Sequence, residues 1–308
     1  FGKPIVAKNM LIDNNVTFQV AYDLTIDSLV RIGGNQEGFI EFINTSGTSG
    51  ATVTLETDYI DMEGGADSDP NSITVEAAGN YTHTLKVNKN IEFNNGTTFD
   101  LFSGAATTNV ILELAGDGNH SITDNTAGIT MDLYKILMNK GSNTSNSFTI
   151  PENFTIALPS TSGVQPIEIL NGTLILNNAG IDVTLTDAAR GNYLLPNLDN
   201  PEASSGSGGL EITNGIVRIV GANVGFELDG PLRLTGGDAD FADGTNNNYI
   251  QYSVTGNASI TINSASSELR VGTQIRRSKF STSGILDLAL TAGNLFIGEG
   301  NGGEPSRG

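Results

Sequence analysis

Short runs in which apolar and polar residues alternate recur along the whole chain. Typical runs are residues 52–55 (TVTL), 110–114 (VILEL) and 232–234 (LRL). A period of two, with β-branched residues and Gly or Asn between the runs, predicts β-strands of about three to five residues joined by turns. Strands this short suit a solenoid, in which each coil contributes short strands to long parallel sheets, better than an ordinary sandwich. The pattern therefore predicts an all-β solenoid.

A weak repeat supports this prediction. Residues 171–176, 214–219 and 257–262 share one pattern at intervals of 43 residues. That spacing fits two coils of about 21–22 residues or one larger unit of several strands. If the repeats stack, the three asparagines that begin them form a ladder satisfying the turn backbone. These residues are Asn171, Asn214 and Asn257. The simpler alternative is that each Asn adopts the left-handed conformation that turns require.

Some segments depart from the strand pattern. Residues 131–138 fit a helical spacing or a period of two, and we interpret them as a strand because a turn follows at 139–141. Two prolines and a Gly/Ser run at 195–209 predict a surface loop or a domain joint. We expect residues 1–308 to form a single elongated solenoid, with a possible interruption near 195–209, cut from a larger exported protein. In the period-two interpretation, one strand face carries Met131, Leu133, Lys135 and Leu137.

Composition excludes several classes of function. The formal net charge of -19 argues against nucleic acid and against an anionic membrane surface as partners. No run approaches the roughly 20 apolar residues that span a bilayer, so we expect no direct membrane insertion. The chain has no Cys, which excludes disulfides, thiolate metal sites and a Cys nucleophile. It has two histidines, His83 and His120, and lacks a nucleophile-elbow motif, so we expect both in surface or turn positions.

Acidic clusters are the strongest candidates for chemistry. Residues 238–244 (DADFADG) carry three carboxylates and a Gly, and amides follow at 246–248. Ca²⁺ prefers six to eight oxygen ligands of these kinds, although the spacing departs from the EF-hand loop. The predicted calcium ligands are Asp238, Asp240, Asp243 and Asn246. The alternative is a solvated loop on an acidic protein.

Carbohydrate cleavage is the main enzymatic alternative. Glycoside hydrolysis needs a carboxylate pair at a defined separation, and lyases commonly add a Lys or Arg base. Arg218, Arg233 and Arg270 lie on strand-like runs, and the one basic cluster is Arg276–Arg277 with Lys279. The absence of Trp and an aromatic content of 6% leave few platforms for stacking sugar rings. No catalytic residues are predicted.

Three segments carry a resemblance to a known group of proteins. Residues 129–141 (ITMDLYKILMNKG), 168–178 (EILNGTLILNN) and 209–217 (GLEITNGIV) resemble the strand-and-turn unit of β-helical surface proteins from the Bacteroidota. These include large adhesins, some of them gliding adhesins, exported by the type IX secretion route; autotransporter passengers and pectate-lyase-like β-helices are similar. The resemblance covers roughly residues 125–300. It implies a right-handed parallel β-helix, a secreted or cell-surface location and the type IX export machinery as a partner.

One shorter motif also resembles this group. Residues 27–29 (DSL) are similar to the acceptor motif for O-glycosylation in the Bacteroidota, which implies glycosylation at Ser28. Together the observations predict an extracellular adhesin or stalk segment without enzymatic activity, with a carbohydrate or surface ligand as its partner. A polysaccharide lyase or glycoside hydrolase is the first alternative, and a passive surface-layer component is the second.

Overall fold

The computed structural model contains strands and turns, with no α-helix among the residues it describes. Those residues are 5–34, 36–43, 52–63, 71–76, 81–94, 98–102, 108–125, 129–141, 145–151, 154–157, 167–186, 209–220, 225–228, 231–242, 249–252, 258–277 and 284–298. The strands that these residues form pair with one another in parallel. The chain is therefore an all-β protein whose parallel strands stack as a β-solenoid, and the predicted fold class is confirmed.

The strands are short and closely spaced along the chain. Their bounds are β1 Ile5–Ile12, β2 Val16–Val20, β3 Leu24–Ile32, β4 Gly38–Phe42, β5 Thr54–Met62, β6 Ser72–Val75, β7 Thr82–Val87, β8 Ile91–Phe93, β9 Thr98–Asp100, β10 Asn109–Leu114, β11 His120–Asp124, β12 Thr130–Leu133, β13 Lys135–Asn139, β14 Ser147–Ile150, β15 Phe154–Ala157, β16 Ile167–Asn171, β17 Thr173–Thr186, β18 Gly209–Val220, β19 Gly225–Leu228, β20 Pro231–Leu234, β21 Asp238–Phe241, β22 Tyr249–Tyr252, β23 Ala258–Ile262, β24 Glu268–Val271, β25 Ile275–Arg277, β26 Leu286–Leu290 and β27 Asn294–Ile297.

Each coil passes through up to three faces before the chain rises to the next level. The first face contains the first halves of β1, β3 and β5, followed by β7, β10, β13 and β16. The second contains the second halves of β1, β3 and β5, then β8, β11, β14, the first halves of β17 and β18, β20, β23 and β26. The third runs from β2 through β4, β6, β9, β12, β15, β17, β18, β21 and β24 to β27. In the later coils β19, β22 and β25 form a separate three-stranded sheet. Strands before residue 125 thus belong to the same stack as those after it.

Inward side chains form apolar columns that run along the stack. On the first face, register pairs Leu55 with Leu85, Leu85 with Leu112 and Leu112 with Ile136, and all four side chains are fully buried. Strand residues of opposite parity face outwards, so the period of two in the sequence separates core from surface. Outward neighbours include opposite charges: Lys86 Nζ lies 3.0 Å from Glu56 Oε1. This pairing across strands supports the sheet from outside.

The register corrects the expected repeat. Phe18 pairs with Ile40, 22 residues further on, whereas Leu174 pairs with Leu210, 36 residues further on. Within residues 171–262, where the repeat was expected, successive levels are 36, 22 and 28 residues apart, so neither two equal coils of 21–22 residues nor one unit of 43 residues repeats there. Coils differ in length because the turns between strands differ, and longer loops cost little extra entropy.

Residues 131–138 form strands, as predicted, but the side chains that face the core are not the ones expected from a continuous period of two. The segment divides into β12 and β13, with Tyr134 between them. Met131 and Leu133 are buried before this corner, and Ile136 and Met138 are buried after it. Lys135 and Leu137 do not share the inward face with Met131, because one corner residue shifts the alternation by one position.

Candidate functional site

The acidic cluster expected to bind calcium begins on a strand. Asp238 and Asp240 lie on β21, where they alternate with the buried residues Ala239 and Phe241. Asp238 Oδ1 accepts the amide hydrogen of Glu268 at 2.7 Å, and Asp240 Oδ1 accepts that of Ala242 at 3.1 Å. Burial raises the pKa of Asp238, and the bond from Glu268 acts in the opposite direction. Both carboxylates thus stabilise backbone rather than line an open loop.

The other predicted calcium ligands, Asp243 and Asn246, lie outside the described residues, as does most of the predicted loop at 195–209. Within the ranges that are described, no group of three or more His, Asp or Glu side chains is arranged to hold a metal ion. Calcium binding by the four predicted residues stays a prediction. Ser28 lies in β3, where the register with β5 shifts between Ile26 and Leu29, and its side chain is partly exposed.

The predicted asparagine ladder can be compared with the register of the strands that carry Asn171 and Asn214. Register pairs Asn171 with Asn139 and Asn214 with Asn177. Asn171 and Asn214 are therefore not partners in neighbouring coils, and Asn257 lies outside the described residues. A ladder through these three side chains stays a prediction.

A polar ladder is present elsewhere, on the second face near the N-terminal end. Arg31 Nη2 lies 2.9 Å from Asp61 Oδ2, and the Nδ2 of Asn94 donates to Asp61 Oδ1 at 3.0 Å. The ladder continues as Asn125 Nδ2 donates to Asn94 Oδ1 at 2.7 Å. Four successive coils are linked in this way. No repeat in the sequence indicates it, because the four residues lie at unequal intervals.

Turn residues use their side-chain oxygens for a similar purpose. Each bond joins an Asn or Asp oxygen to a backbone amide of a neighbouring coil, which satisfies donors that the ladder leaves unpaired. The acceptor and donor pairs are Asp13 with Gln36, Asp23 with Thr54, Asn71 with Gly38, Asn90 with Ser121, Asn119 with Ser147, Asn146 with Gly118 and Asp238 with Glu268. The structural role expected of turn asparagines is observed at these positions.

The prediction that His83 lies at a surface or turn is wrong. His83 lies in β7 and is fully buried, with its ring stacked near Phe42 and Tyr81. Its Nδ1 accepts the Val53 amide hydrogen at 3.1 Å, so its Nε2 carries the hydrogen that bonds Ile43 O at 3.1 Å. Burial lowers the pKa of His83, which favours this neutral form. Both nitrogens are used structurally, and neither is available for catalysis.

His120 is the first residue of β11 and is partly exposed. Its Nε2 lies 2.9 Å from the backbone oxygen of Asp117, so it closes a local turn. Burial lowers the pKa of this ring as well. The two histidines are therefore accounted for by contacts within the stack.

Lys140 is a buried charged residue whose burial the sequence did not indicate. It follows β13 at a turn, and its side chain has no exposed surface. Nζ donates to Ala115 O at 2.5 Å and to Asn88 O at 3.2 Å, which are carbonyls from two preceding coils. Burial lowers the pKa of Lys140 to about 8. The same turn column requires Gly116 at φ +72°, where a Cβ would lie 2.5 Å from Asn88 O.

The third face carries one pair of carboxylates on adjacent strands. Asp100 on β9 and Asp132 on β12 are register partners. Asp100 Oδ1 accepts the Phe102 amide hydrogen at 2.9 Å. Burial, reinforced by the charge of Asp132, raises the pKa of Asp100. The partner of Asp132 on the next strand is Thr155, so this pair has no Lys or Arg as its register neighbour there.

Two arginines in the described part of the C-terminal half, Arg270 and Arg276, contact neighbouring side chains. Arg270 lies over the Phe296 ring at 4.4 Å, and its Nη2 lies 2.7 Å from Glu268 Oε2. Arg276 lies over the Tyr249 ring at 3.9 Å and donates from Nε to Gln251 Oε1 at 3.2 Å. These cations stack on aromatic rings rather than converging on a carboxylate pair.

No family model, no curated protein and no solved structure matches the chain. Among the described residues, no helix is both long enough and apolar enough to cross a membrane.

Proposed function

We propose that this chain is a structural stalk segment of an exported, adhesin-like surface protein. The observation that carries the proposal is the use of its outward polar side chains. Asp61, Asn94 and Asn125 link successive coils, and turn Asn and Asp oxygens hold the amides of neighbouring coils. Carboxylate and amide groups often form ligand or active sites. Here these groups bond neighbouring coils to each other, which makes the shaft rigid.

The coil arrangement is suited to such a role. Each level of a parallel stack adds about 4.8 Å along the axis, so the length of a solenoid increases with every coil. The net charge of -19 provides a solvated coat that opposes non-specific association. Export by the type IX route and a bacterial surface location rest on the resemblance of residues 129–141, 168–178 and 209–217. A carbohydrate or surface ligand and a calcium site belong to the same proposal.

A distance measurement tests the stalk directly. The chain lacks Cys, so Thr17→Cys and Asp287→Cys introduce two unique labelling sites on exposed residues of the first and last coils. A rigid shaft gives a narrow distribution of distances between two spin labels. A broad distribution that narrows when a polysaccharide is added would contradict a stalk and indicate a ligand-ordered binding module.

Enzymatic activity is tested separately on the unlabelled chain. A panel of neutral and acidic polysaccharides is assayed for new reducing ends and for the absorbance of unsaturated products. We expect no turnover above the blank. Turnover that disappears in Asp132→Asn would replace the stalk with a carbohydrate-cleaving enzyme acting at Asp100 and Asp132.

A further inference from the structure

His83 occupies a position in an apolar column of the core. Partly exposed and buried residues alternate along its strand, β7, and His83 has the inward parity of Leu85 and Val87. The register aligns it with Val110 in the next coil, and both side chains are fully buried. The position therefore suits an aliphatic side chain, and a ring with two nitrogens is stable there only if each nitrogen has a hydrogen-bond partner.

Both partners of the ring are backbone groups of preceding coils. Ile43 follows β4 at the end of one coil, and Val53 precedes β5 at the start of the next. His83 Nδ1 accepts the Val53 amide hydrogen at 3.1 Å, and Nε2 donates to Ile43 O at 3.1 Å. We call His83, Ile43 and Val53 the histidine junction. One imidazole thus bonds two coils to a third.

Only the neutral ring makes both of these bonds. A protonated imidazole is a donor at both nitrogens, so its Nδ1–H would face the N–H of Val53 and that amide would lose its acceptor. A buried backbone N–H without an acceptor costs free energy. Burial also lowers the pKa of His83 from its ordinary value of 6.5, and the bond to Ile43 O acts in the opposite direction. The closed junction therefore excludes a proton that an open, hydrated ring would bind.

The charged side chains described on the strands around the ring have outward parity, whereas His83 has inward parity. They are Glu41 on β4, Glu56 on β5, Lys86 on β7 and Glu113 on β10. Two further carboxylates flank the junction: Asp23 Oδ1 accepts an amide hydrogen of β5 at 2.9 Å, and Glu76 follows β6. The Tyr81 ring is stacked on the imidazole, with its centroid 6.3 Å away. Burial among apolar and aromatic neighbours therefore decides the protonation of this ring.

We propose that His83 is a proton-sensitive switch, and that its protonation opens the histidine junction while the other coils stay folded. The open ring binds its proton with the ordinary pKa of 6.5, and the closed ring has a lower pKa. The fraction of molecules with an open junction is therefore constant above pH 6.5 and rises about tenfold per pH unit below it, until the pH reaches the lowered pKa. The opening is local because comparable bonds elsewhere, from Ser121 to Asn90 and from Ser147 to Asn119, use amide oxygens that do not titrate. The proposal does not depend on the stalk function.

Hydrogen exchange of single amides in the native state, followed by NMR from about pH 7.5 to about pH 4.5, measures the opening. After correction for the intrinsic exchange rate, the protection of the Val53 amide should be constant near neutral pH and fall about tenfold per pH unit below 6.5. The Ser121 amide is the internal control, because its acceptor is Asn90 Oδ1 at 3.0 Å. Its protection should not change over the same range.

Two matched variants assign the effect to one ring. His83→Gln keeps an acceptor and a donor but does not titrate, so its Val53 protection should not vary with pH. His120→Gln removes the partly exposed imidazole that closes a turn at Asp117 O, and it should keep the response of Val53.

Imidazole ¹⁵N shifts of the unmodified chain give a result that requires no variant. His83 should be the Nε2–H tautomer at neutral pH and stay neutral while the protection of Val53 falls. Constant Val53 protection in the unmodified chain, an equal fall in His83→Gln, a lost response in His120→Gln or an Nδ1–H tautomer would each overturn the proposal. A parallel fall at Ser121 would indicate global unfolding and would overturn it as well.

Discussion

Lys140 provides a quantitative test of how the turns are stabilised. Its ammonium group is buried without exposed surface and donates to the carbonyls of Ala115 and Asn88 in two preceding coils. Burial disfavours the charged form, and for this reason the pKa of Lys140 falls from 10.5 to about 8. The unfolded chain holds this proton up to its ordinary pKa, whereas the folded chain releases it near pH 8.

The sign and size of the effect follow from this difference. Between pH 8 and 10.5 the unfolded state binds more protons at Lys140 than the folded state does, so the free energy of unfolding rises with pH. The full difference corresponds to about 3 kcal/mol, of which about 2 kcal/mol lies between pH 8 and 9.5. A neutral amine still has hydrogens for both carbonyls.

Urea unfolding followed by circular dichroism, at pH values from 7 to 9.5, measures the effect. The free energy of unfolding of the unmodified chain minus that of Lys140→Met should rise by about 2 kcal/mol across this range. Leu137→Ala, which removes no titratable group from the strand that precedes Lys140, should show no such rise. A difference between the unmodified chain and Lys140→Met that stays constant with pH would refute the reasoning.

Three further predictions follow from the packing. Ile136→Ala should cost about 2–5 kcal/mol and Leu137→Ala less than half of that, because only Ile136 lies in a buried column; urea unfolding compares the two. His83 should make the protein less stable as the pH falls below 6.5, because its pKa is lowered by burial and the unfolded chain takes up the proton first. Melting temperatures at pH 7 and 5 should therefore differ more in the unmodified chain than in His83→Leu. Asn94→Ala should cost about 1 kcal/mol through the lost bond to Asp61. Asn94→Asp should cost more at pH 7 than at pH 4, because it places a second carboxylate opposite that of Asp61; unfolding at both pH values separates the two variants.

Much of the fold could be predicted from the alternation of residue types. The expected strands at residues 110–114 and 232–234 are present, the one expected at 52–55 begins at Thr54, and all three pair in parallel. This succeeds because parity along a strand decides which side chains reach the core, and parity is a local property. The same logic fails at corners, where a single residue such as Tyr134 changes the parity of everything that follows.

The candidate sites were less predictable. Asp238 and Asp240 resemble a calcium loop in sequence because Asp, Gly and Asn also end strands and make turns. In the stack they are strand residues, and their oxygens hold backbone amides. His83 carries no sequence signal for burial, since its partners Val53 and Ile43 lie 30 and 40 residues away.

The sequence by itself determined that the chain forms short strands and turns, and that one side of each strand enters a core. Tertiary structure decided which strands became neighbours, because turns of different length can separate the same two levels at little cost in entropy. It follows that only the stack places Lys140 against Asn88 and Ala115, and Asp61 against Asn94. Register, not spacing along the chain, selects these partners, since it is the burial of whole apolar columns that fixes which coil positions coincide.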